Sequence, residues 1–104
     1  MIRPVSDFKK SVAELSRFLG INSSVELNFT GITADSRAVE AGDLFVALPG
    51  TSAHGASFID DVVKRGAVAV ITDSIGGELV SSKLPVLLVA NPARELGEIC
   101  SWFY

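Results

Sequence analysis

Two continuous apolar runs, separated by an amphipathic segment, constrain the fold of this chain more than any other feature. Residues 44–48 are apolar throughout and residues 67–72 are apolar up to Thr72, which is typical of strands covered on both faces. Between them, Ser57 is placed to cap a helix that ends at Gly66. The apolar stripe of that helix comprises Phe58, Ile59, Val62 and Val63. A strand, a helix and a strand in this order predict a right-handed crossover between parallel neighbours.

The flanking sequence adds elements of the same kinds. Residues 6–19 have apolar residues at helical spacing, with Gly20 suited to the left-handed position after the helix. Residues 29–34 and 85–89 are predicted as further strands, and Asn91-Pro92 has the cap and first-turn residues of a last helix. The sequence does not assign residues 73–82 to a helix or a strand. We expect an α/β fold, a small mixed sheet of about four or five strands with about three flanking helices.

Composition limits the class of protein. The 104 residues are 48% hydrophobic, as expected for a single domain covering residues 1–104. A net charge of −3 with scattered Lys and Arg argues against a nucleic acid or a membrane surface as partner. No run approaches the roughly 18 apolar residues of a membrane span, and the N-terminus lacks a signal peptide, so a cytoplasmic location is expected.

Two further expectations concern the C-terminal part of the chain. Cys100 is the single cysteine, which excludes an internal disulfide, and its apolar neighbours predict a buried core thiol. The sequence stops at Tyr104 inside a helical pattern. That ending leads us to expect that the chain is a piece of a longer protein.

Catalytic and metal-binding patterns are absent from the sequence. His54 is the only histidine, and with no nucleophile or second ligand tied to it we predict a solvated loop histidine. The sequence has neither the phosphate-binding loop motif of nucleotide hydrolases nor the glycine fingerprint of dinucleotide-binding folds. We therefore predict no catalytic residue and no metal site within these 104 residues.

Two loops that follow predicted strands carry residues suited to binding. Ser36, Thr51 and Ser52 supply hydroxyl groups, and the glycines at both ends of residues 50–55 permit close backbone approach. The second loop runs into a predicted helix, where free N–H groups favour an anion such as a diphosphate. Arg37 is placed to add a charge-assisted contact.

The same residues have a plainer interpretation. Asp35-Ser36 is also the composition of an ordinary turn, and Arg37 is also what a surface ion pair requires. Chemistry alone leaves both interpretations open.

The order of several short motifs resembles the N-terminal domain of the Mur ligases, cytoplasmic ATP-dependent enzymes that add amino acids to the peptidoglycan precursor. The motifs are Thr33-x-Asp35-Ser36-Arg37, Gly42-Asp43-Leu44-Phe45-Val46-Ala47-Leu48, Gly50, Gly55, Phe58-Ile59 and Gly66-Ala67. Residues 91–104 look most like the MurE type, which extends UDP-N-acetylmuramoyl-L-alanyl-D-glutamate with meso-diaminopimelate or L-lysine. The MurF type, which adds D-Ala-D-Ala, is the alternative within the family.

The resemblance implies a substrate-binding role for particular residues. In the family, this domain holds the UDP end of the substrate. Ala34 and Ser36 match positions that contact the uridine, and a second loop that lies against the nucleotide is matched by Thr51, Ser52 and Ala53. Arg37 and His54 are additional candidates, although His54 stands where an acidic residue is common.

The resemblance also implies what lies elsewhere. ATP and Mg²⁺ are expected to serve the full-length enzyme, bound by a central domain that is absent here, and a C-terminal domain is expected to close over the incoming amino acid. The fragment itself is expected to hold no cofactor. An alternative from another class is a non-catalytic α/β module that binds a protein partner and uses the turn at Asp35-Ser36-Arg37 structurally.

Overall fold

A computed structural model describes residues 10–20, 28–50, 54–80 and 84–103. Along the chain, the elements are β1 (Lys10–Ser11), α1 (Val12–Leu19), β2 (Asn28–Phe29), β3 (Gly31–Thr33), β4 (Asp43–Val46), a 3₁₀ helix (Gly55–Phe58), α2 (Ile59–Lys64), β5 (Ala69–Thr72), α3 (Ser74–Val80), β6 (Val86–Leu88) and α4 (Pro92–Phe103). The predicted α/β class is confirmed. Among the described helices, none is both long and apolar enough to cross a bilayer.

The main sheet has four strands in the order β3-β4-β5-β6, and every neighbouring pair is parallel. Its register aligns Ile32 with Leu44, and Phe45 with Val70. The predicted β-α-β unit is therefore confirmed, with β4 and β5 as its strands and α2 in its crossover. Strands β1 and β2 form a separate antiparallel pair.

The alternation of side chains along each strand divides the core into two layers. Leu44 and Val46 of β4 face one layer, whereas Phe45 and Ala47 face the other. The first layer is closed by residues of α1 and α4, including Leu15, Ile99 and Phe103. The second is closed by residues of α2 and α3, Ile59, Val62 and Val80. Fully burying one such side chain is worth about 1.5–3 kcal/mol.

The prediction of one strand over residues 29–34 is wrong. The segment is divided at Thr30, whose N–H donates to the carbonyl of Gly42 at 3.0 Å. Phe29 before this point belongs to the antiparallel pair and stacks on Phe103, whereas β3 after it joins the parallel sheet. The mixed sheet that we predicted is therefore two sheets, because within the described ranges β1 and β2 pair with each other and not with the main sheet.

The first predicted helix began too early. Lys10–Ser11 form β1, paired with β2, and the helix starts at Val12. Residues 6–9 lie outside the described residues. The predicted end is confirmed, since Gly20 has φ +72°.

Residues 73–82, which the sequence left unplaced, contain a fourth helix. Asp73 caps α3, because its Oδ1 accepts a hydrogen bond from Gly76 N–H at 2.8 Å. The Gly76-Gly77 pair hid this helix, since glycine is a poor helix former. Gly76, the first glycine of the pair, is a buried residue of α3.

Other local predictions have mixed outcomes. Gly66 ends the segment after α2 with φ +97°, and Asn91 caps α4 by accepting from Arg94 N–H at 3.2 Å, both as predicted. Strand β6 is an edge strand, so Leu88 is exposed rather than buried. Cys100 is only half-buried, although it does pack against the first core layer.

Candidate functional site

A cleft of about 620 Å³ lies beyond the carboxyl ends of β3 and β4. We call it the DSR cleft, after the Asp35-Ser36-Arg37 turn that forms one wall. Its lining consists of Ala34, Asp35, Ser36, Arg37, Phe45, Gly55, Phe58 and Asp61. This end of the strands is where ligands bind in open α/β sheets.

The first wall is a turn held by its own aspartate. Asp35 Oδ1 accepts from Arg37 N–H at 2.9 Å, and the Asp35 carbonyl accepts from Ala38 N–H at 3.0 Å. The Arg37 backbone N–H, aided by its guanidinium, holds the pKa of Asp35 below its usual value. The carboxylate therefore stays ionised and keeps the turn closed.

Arg37 presents an exposed charge at the rim of the cleft. Its side chain is 84% exposed, and its Nε lies 3.4 Å from Asp35 Oδ1, a long distance for a hydrogen bond. The backbone carbonyl of Arg37 is fixed by a hydrogen bond, which Arg65 Nη1 donates at 2.9 Å. A fixed backbone with a weakly held guanidinium is suited to binding an anion from solvent.

The opposite wall combines glycine with an aromatic ring. Gly55 N–H donates to the Leu48 carbonyl at 2.7 Å, and a Cβ at position 55 would lie 2.9 Å from Leu48 N, so only glycine fits. Phe58 lines the cleft and is 49% exposed, while Phe45 beneath is buried. The exposed ring offers a flat apolar surface on which a planar ligand group can stack.

Three N–H groups at the start of the second predicted helix are not free to bind the predicted anion. Those of Gly55, Ala56 and Ser57 donate to the Leu48 carbonyl, His54 Nδ1 and the His54 carbonyl. They are used within the chain because a 3₁₀ helix, capped by His54, precedes α2. Ser57, predicted as the cap, instead donates its Oγ to the His54 carbonyl at 2.7 Å.

His54 is not a solvated loop histidine, which corrects the prediction. Its side chain is 10% exposed, and Nε2 lies 2.9 Å from Asp73 Oδ1. Because Nδ1 accepts from Ala56 N–H, it carries no proton, so Nε2 is the protonated nitrogen and donates to Asp73. The ring does not line the DSR cleft. Tertiary packing against α3, which the sequence did not reveal, removes it from water.

The predicted binding residues that the structure describes divide into two groups. Ala34, Ser36 and Arg37 lie together on one wall of the DSR cleft, whereas His54 faces α3. Thr51, Ser52 and Ala53 lie outside the described residues, and their role stays a prediction.

The sequence interpretation missed Phe58 and Asp61 as cleft residues. We assigned Phe58 to the buried stripe because it lies four residues before Val62, at helical spacing. The 3₁₀ helix turns by roughly 120° per residue, so it shifts Phe58 out of the phase of α2. Asp61, to which the sequence analysis gave no role, accepts from Arg65 Nε at 3.0 Å.

Across the four described ranges, no three His, Cys, Asp or Glu side chains converge as a metal site would require.

Comparison with known proteins defines the class. A family model described as "Mur ligase family, catalytic domain" matches residues 28–104, most of the chain. The protein therefore belongs to the Mur ligase family, and the resemblance in its motifs is confirmed.

Three individual proteins illustrate the relationship. The chain is 43% identical over 106 residues to the UDP-N-acetylmuramoyl-L-alanyl-D-glutamate–2,6-diaminopimelate ligase of Streptomyces coelicolor, covering 98% of this chain and 21% of that protein. The fold is similar to MurF from Acinetobacter baumannii, with a TM-score of 0.67, 22% identity, and coverage of 91% of this chain and 21% of that one. MurF from Thermotoga maritima in complex with ADP gives a TM-score of 0.54 and 31% identity over 65% of this chain and 15% of that one. The chain thus spans about a fifth of the length of the curated relative.

Proposed function

We propose that this chain is the N-terminal, substrate-binding domain of a MurE-type ligase in the cytoplasm, and that it binds the UDP end of UDP-N-acetylmuramoyl-L-alanyl-D-glutamate. The observation that carries the proposal is the DSR cleft, which brings Ala34, Ser36 and Arg37 to one wall. The relative from Streptomyces coelicolor supports the MurE type, because its likeness extends over nearly the whole chain.

Each part of the cleft has a function in this proposal. The Ser36 hydroxyl and the backbone at Ala34 contact the uridine, while the exposed ring of Phe58 stacks on the uracil. The guanidinium of Arg37 leaves its long contact with Asp35 and binds the diphosphate. Thr51, Ser52 and Ala53 contact the nucleotide from the loop before His54.

Binding the nucleotide contributes to catalysis at a distance. The UDP group is remote from the carboxylate that receives the amino acid, so holding it positions that carboxylate and lowers the entropic cost of reaction. ATP and Mg²⁺, which supply the activation of the carboxylate, bind in this proposal to a central domain beyond these 104 residues. The described residues accordingly contribute binding and orientation.

An NMR titration of the 104-residue chain with UDP-N-acetylmuramoyl-L-alanyl-D-glutamate, compared with UMP, tests the proposal. We expect amide shifts at residues 34–37 and 51–53, Gly55 and Phe58. Phe58→Ala should weaken binding about fivefold or more through lost stacking. Ile75→Ala, which truncates an exposed side chain on α3 outside the cleft lining, is the matched control.

Two other functions are distinguishable in related experiments. A flat response to both ligands at millimolar concentration would contradict nucleotide binding and favour the non-catalytic partner-binding module. A MurF-type enzyme would also bind UMP, so this alternative requires a different assay. That assay measures which substrate the full-length ligase adds, and a MurF-type enzyme would accept D-Ala-D-Ala rather than diaminopimelate or lysine. The likeness to MurF structures is the reason to carry it out.

A further inference from the structure

His54 joins two segments that are distant in sequence. Its Nδ1 accepts from Ala56 N–H at 2.9 Å, which caps the 3₁₀ helix. Its Nε2 donates to Asp73 Oδ1 at 2.9 Å, at the junction between β5 and α3. The same Asp73 oxygen accepts from Gly76 N–H at 2.8 Å, so one carboxylate oxygen caps α3 and fixes the imidazole.

The imidazole ring lies in a notch of α3 that a glycine creates. A Cβ at position 76 would collide with Thr72 Oγ1 and would lie 2.6 Å from His54 Cε1. Thr72 is itself held in place, because its Oγ1 donates to the Ala47 carbonyl at 3.2 Å. The ring is therefore confined by packing as well as by two hydrogen bonds.

This confined ring adjoins the wall of the DSR cleft. Gly55 follows His54 directly and lines the cleft, and Phe58 lines it one turn later. The His54 carbonyl accepts from both the N–H and the Oγ of Ser57, at 2.9 and 2.7 Å. Movement of His54 would therefore move the 3₁₀ helix that carries both lining residues.

We propose that His54 and Asp73 form a clasp that positions the Gly55–Phe58 wall of the DSR cleft, which makes His54 a positioning residue for nucleotide binding. The effect on affinity rests on the proposed function, whereas the effect on the wall does not. Among the described residues, Asp73 is the titratable group in contact with the His54 ring. The Gly76 N–H, and secondarily His54, hold the pKa of Asp73 below its usual value, so the acceptor is ionised at neutral pH.

Side-chain amides separate the two functions of the imidazole. In His54→Asn, the amide oxygen can replace Nδ1 as the cap of Ala56 N–H, but the side chain is too short to reach Asp73. In His54→Gln, the longer amide can donate to Asp73 in place of Nε2. Asp73→Ser keeps an acceptor for Gly76 N–H and is too short to reach His54. Gly97→Ala, at a helical position with open space, is the control for a harmless substitution.

The test measures affinity for UMP and the backbone amide shifts of Gly55 and Phe58 in these four variants and in the double variant that combines His54→Asn with Asp73→Ser. His54→Asn and Asp73→Ser should each weaken UMP binding about fivefold, as expected when one short segment must be ordered on binding. The double variant should be no weaker than either single one, because both remove the same contact. His54→Gln should restore most of the affinity, and ¹⁵N spectra of the unsubstituted chain should show an unprotonated Nδ1 and a protonated Nε2.

The inference fails if His54→Asn binds UMP like the unsubstituted chain, or if His54→Gln weakens binding as much as His54→Asn. Should the unsubstituted chain not bind UMP, the proposed function fails and the clasp is judged on the ligand-free protein. Changed amide shifts and faster hydrogen exchange at Gly55 and Phe58 in His54→Asn, restored in His54→Gln, would then support it. Unchanged shifts and exchange would overturn it.

Discussion

Arg65 donates a hydrogen bond from Nη1 to the carbonyl of Arg37 at 2.9 Å, which joins the end of α2 to the DSR turn. The same guanidinium donates from Nε to Asp61 Oδ2 at 3.0 Å. One arginine thus spans the two sides of the cleft, since Asp61 and Arg37 both belong to its lining. The planar fork of arginine makes both bonds at once, which lysine cannot reproduce.

Replacing Arg65 should therefore affect the cleft more than the fold. Arg65→Ala is expected to change the free energy of unfolding by less than about 1 kcal/mol, because the contacts are exposed. UMP binding should weaken about two- to fivefold, since the DSR turn loses one anchor. Urea unfolding and isothermal titration measure the two effects, with Arg94→Ala on α4 as the control. Equal loss of affinity in both variants would indicate a general charge effect instead.

Two helical glycines should respond oppositely to the same substitution. Gly76→Ala places a methyl group against Thr72 Oγ1 and the His54 ring, and we expect a loss of about 1–3 kcal/mol from overpacking. Gly97→Ala meets open space on α4 and should stabilise by up to about 1 kcal/mol, because alanine favours the helix. Urea unfolding of both variants checks the pair. Similar changes in the free energy of unfolding for Gly76→Ala and Gly97→Ala would contradict the notch in α3.

The pH dependence of stability should carry a contribution from Asp73. Its pKa in the folded chain lies below the ordinary 3.8, chiefly because Gly76 N–H donates to the carboxylate. The contribution is complete above that ordinary value and is lost as the pH falls through the lower folded value. The stability advantage of the unsubstituted chain over Asp73→Asn should therefore shrink between pH 5 and pH 2, conditions under which urea unfolding can be compared. A difference in the free energy of unfolding between the two chains that stays constant with pH would contradict the lowered pKa of Asp73.

The single tryptophan reports on contact between the first and last helices. Trp102 stacks on Phe18 with ring centroids 5.2 Å apart, and it also lies 6.4 Å from Phe29. Phe18→Ala should destabilise the fold by about 1–2 kcal/mol and shift the tryptophan emission to longer wavelength, because the ring gains water contact. Phe58→Ala, which removes a similarly exposed ring from the cleft, should leave the emission unchanged. Tryptophan fluorescence of both variants measures the shift in emission, and urea unfolding of Phe18→Ala measures the loss of stability.

The sequence by itself determined the β-α-β unit, the ends of several helices and one wall of the cleft. Continuous apolar runs report burial on both faces, so β4 and β5 were predictable, and so was their parallel pairing. Gly66 and Asn91 set helix ends through their own backbone and side-chain chemistry. The DSR turn was identifiable because the residues that close it are adjacent in sequence.

Only the tertiary structure decided which distant groups meet. Asp73 lies 19 residues from His54, and their contact depends on the register of β5 beside β4 and on the missing side chain of Gly76. The exposure of Phe58 depends on the 3₁₀ helix that precedes α2. Periodicity describes which face of one element is apolar, but it contains no information about which surface of another element will cover that face. The cap, the clasp and the aromatic wall arise from that choice, so the sequence alone could not predict them.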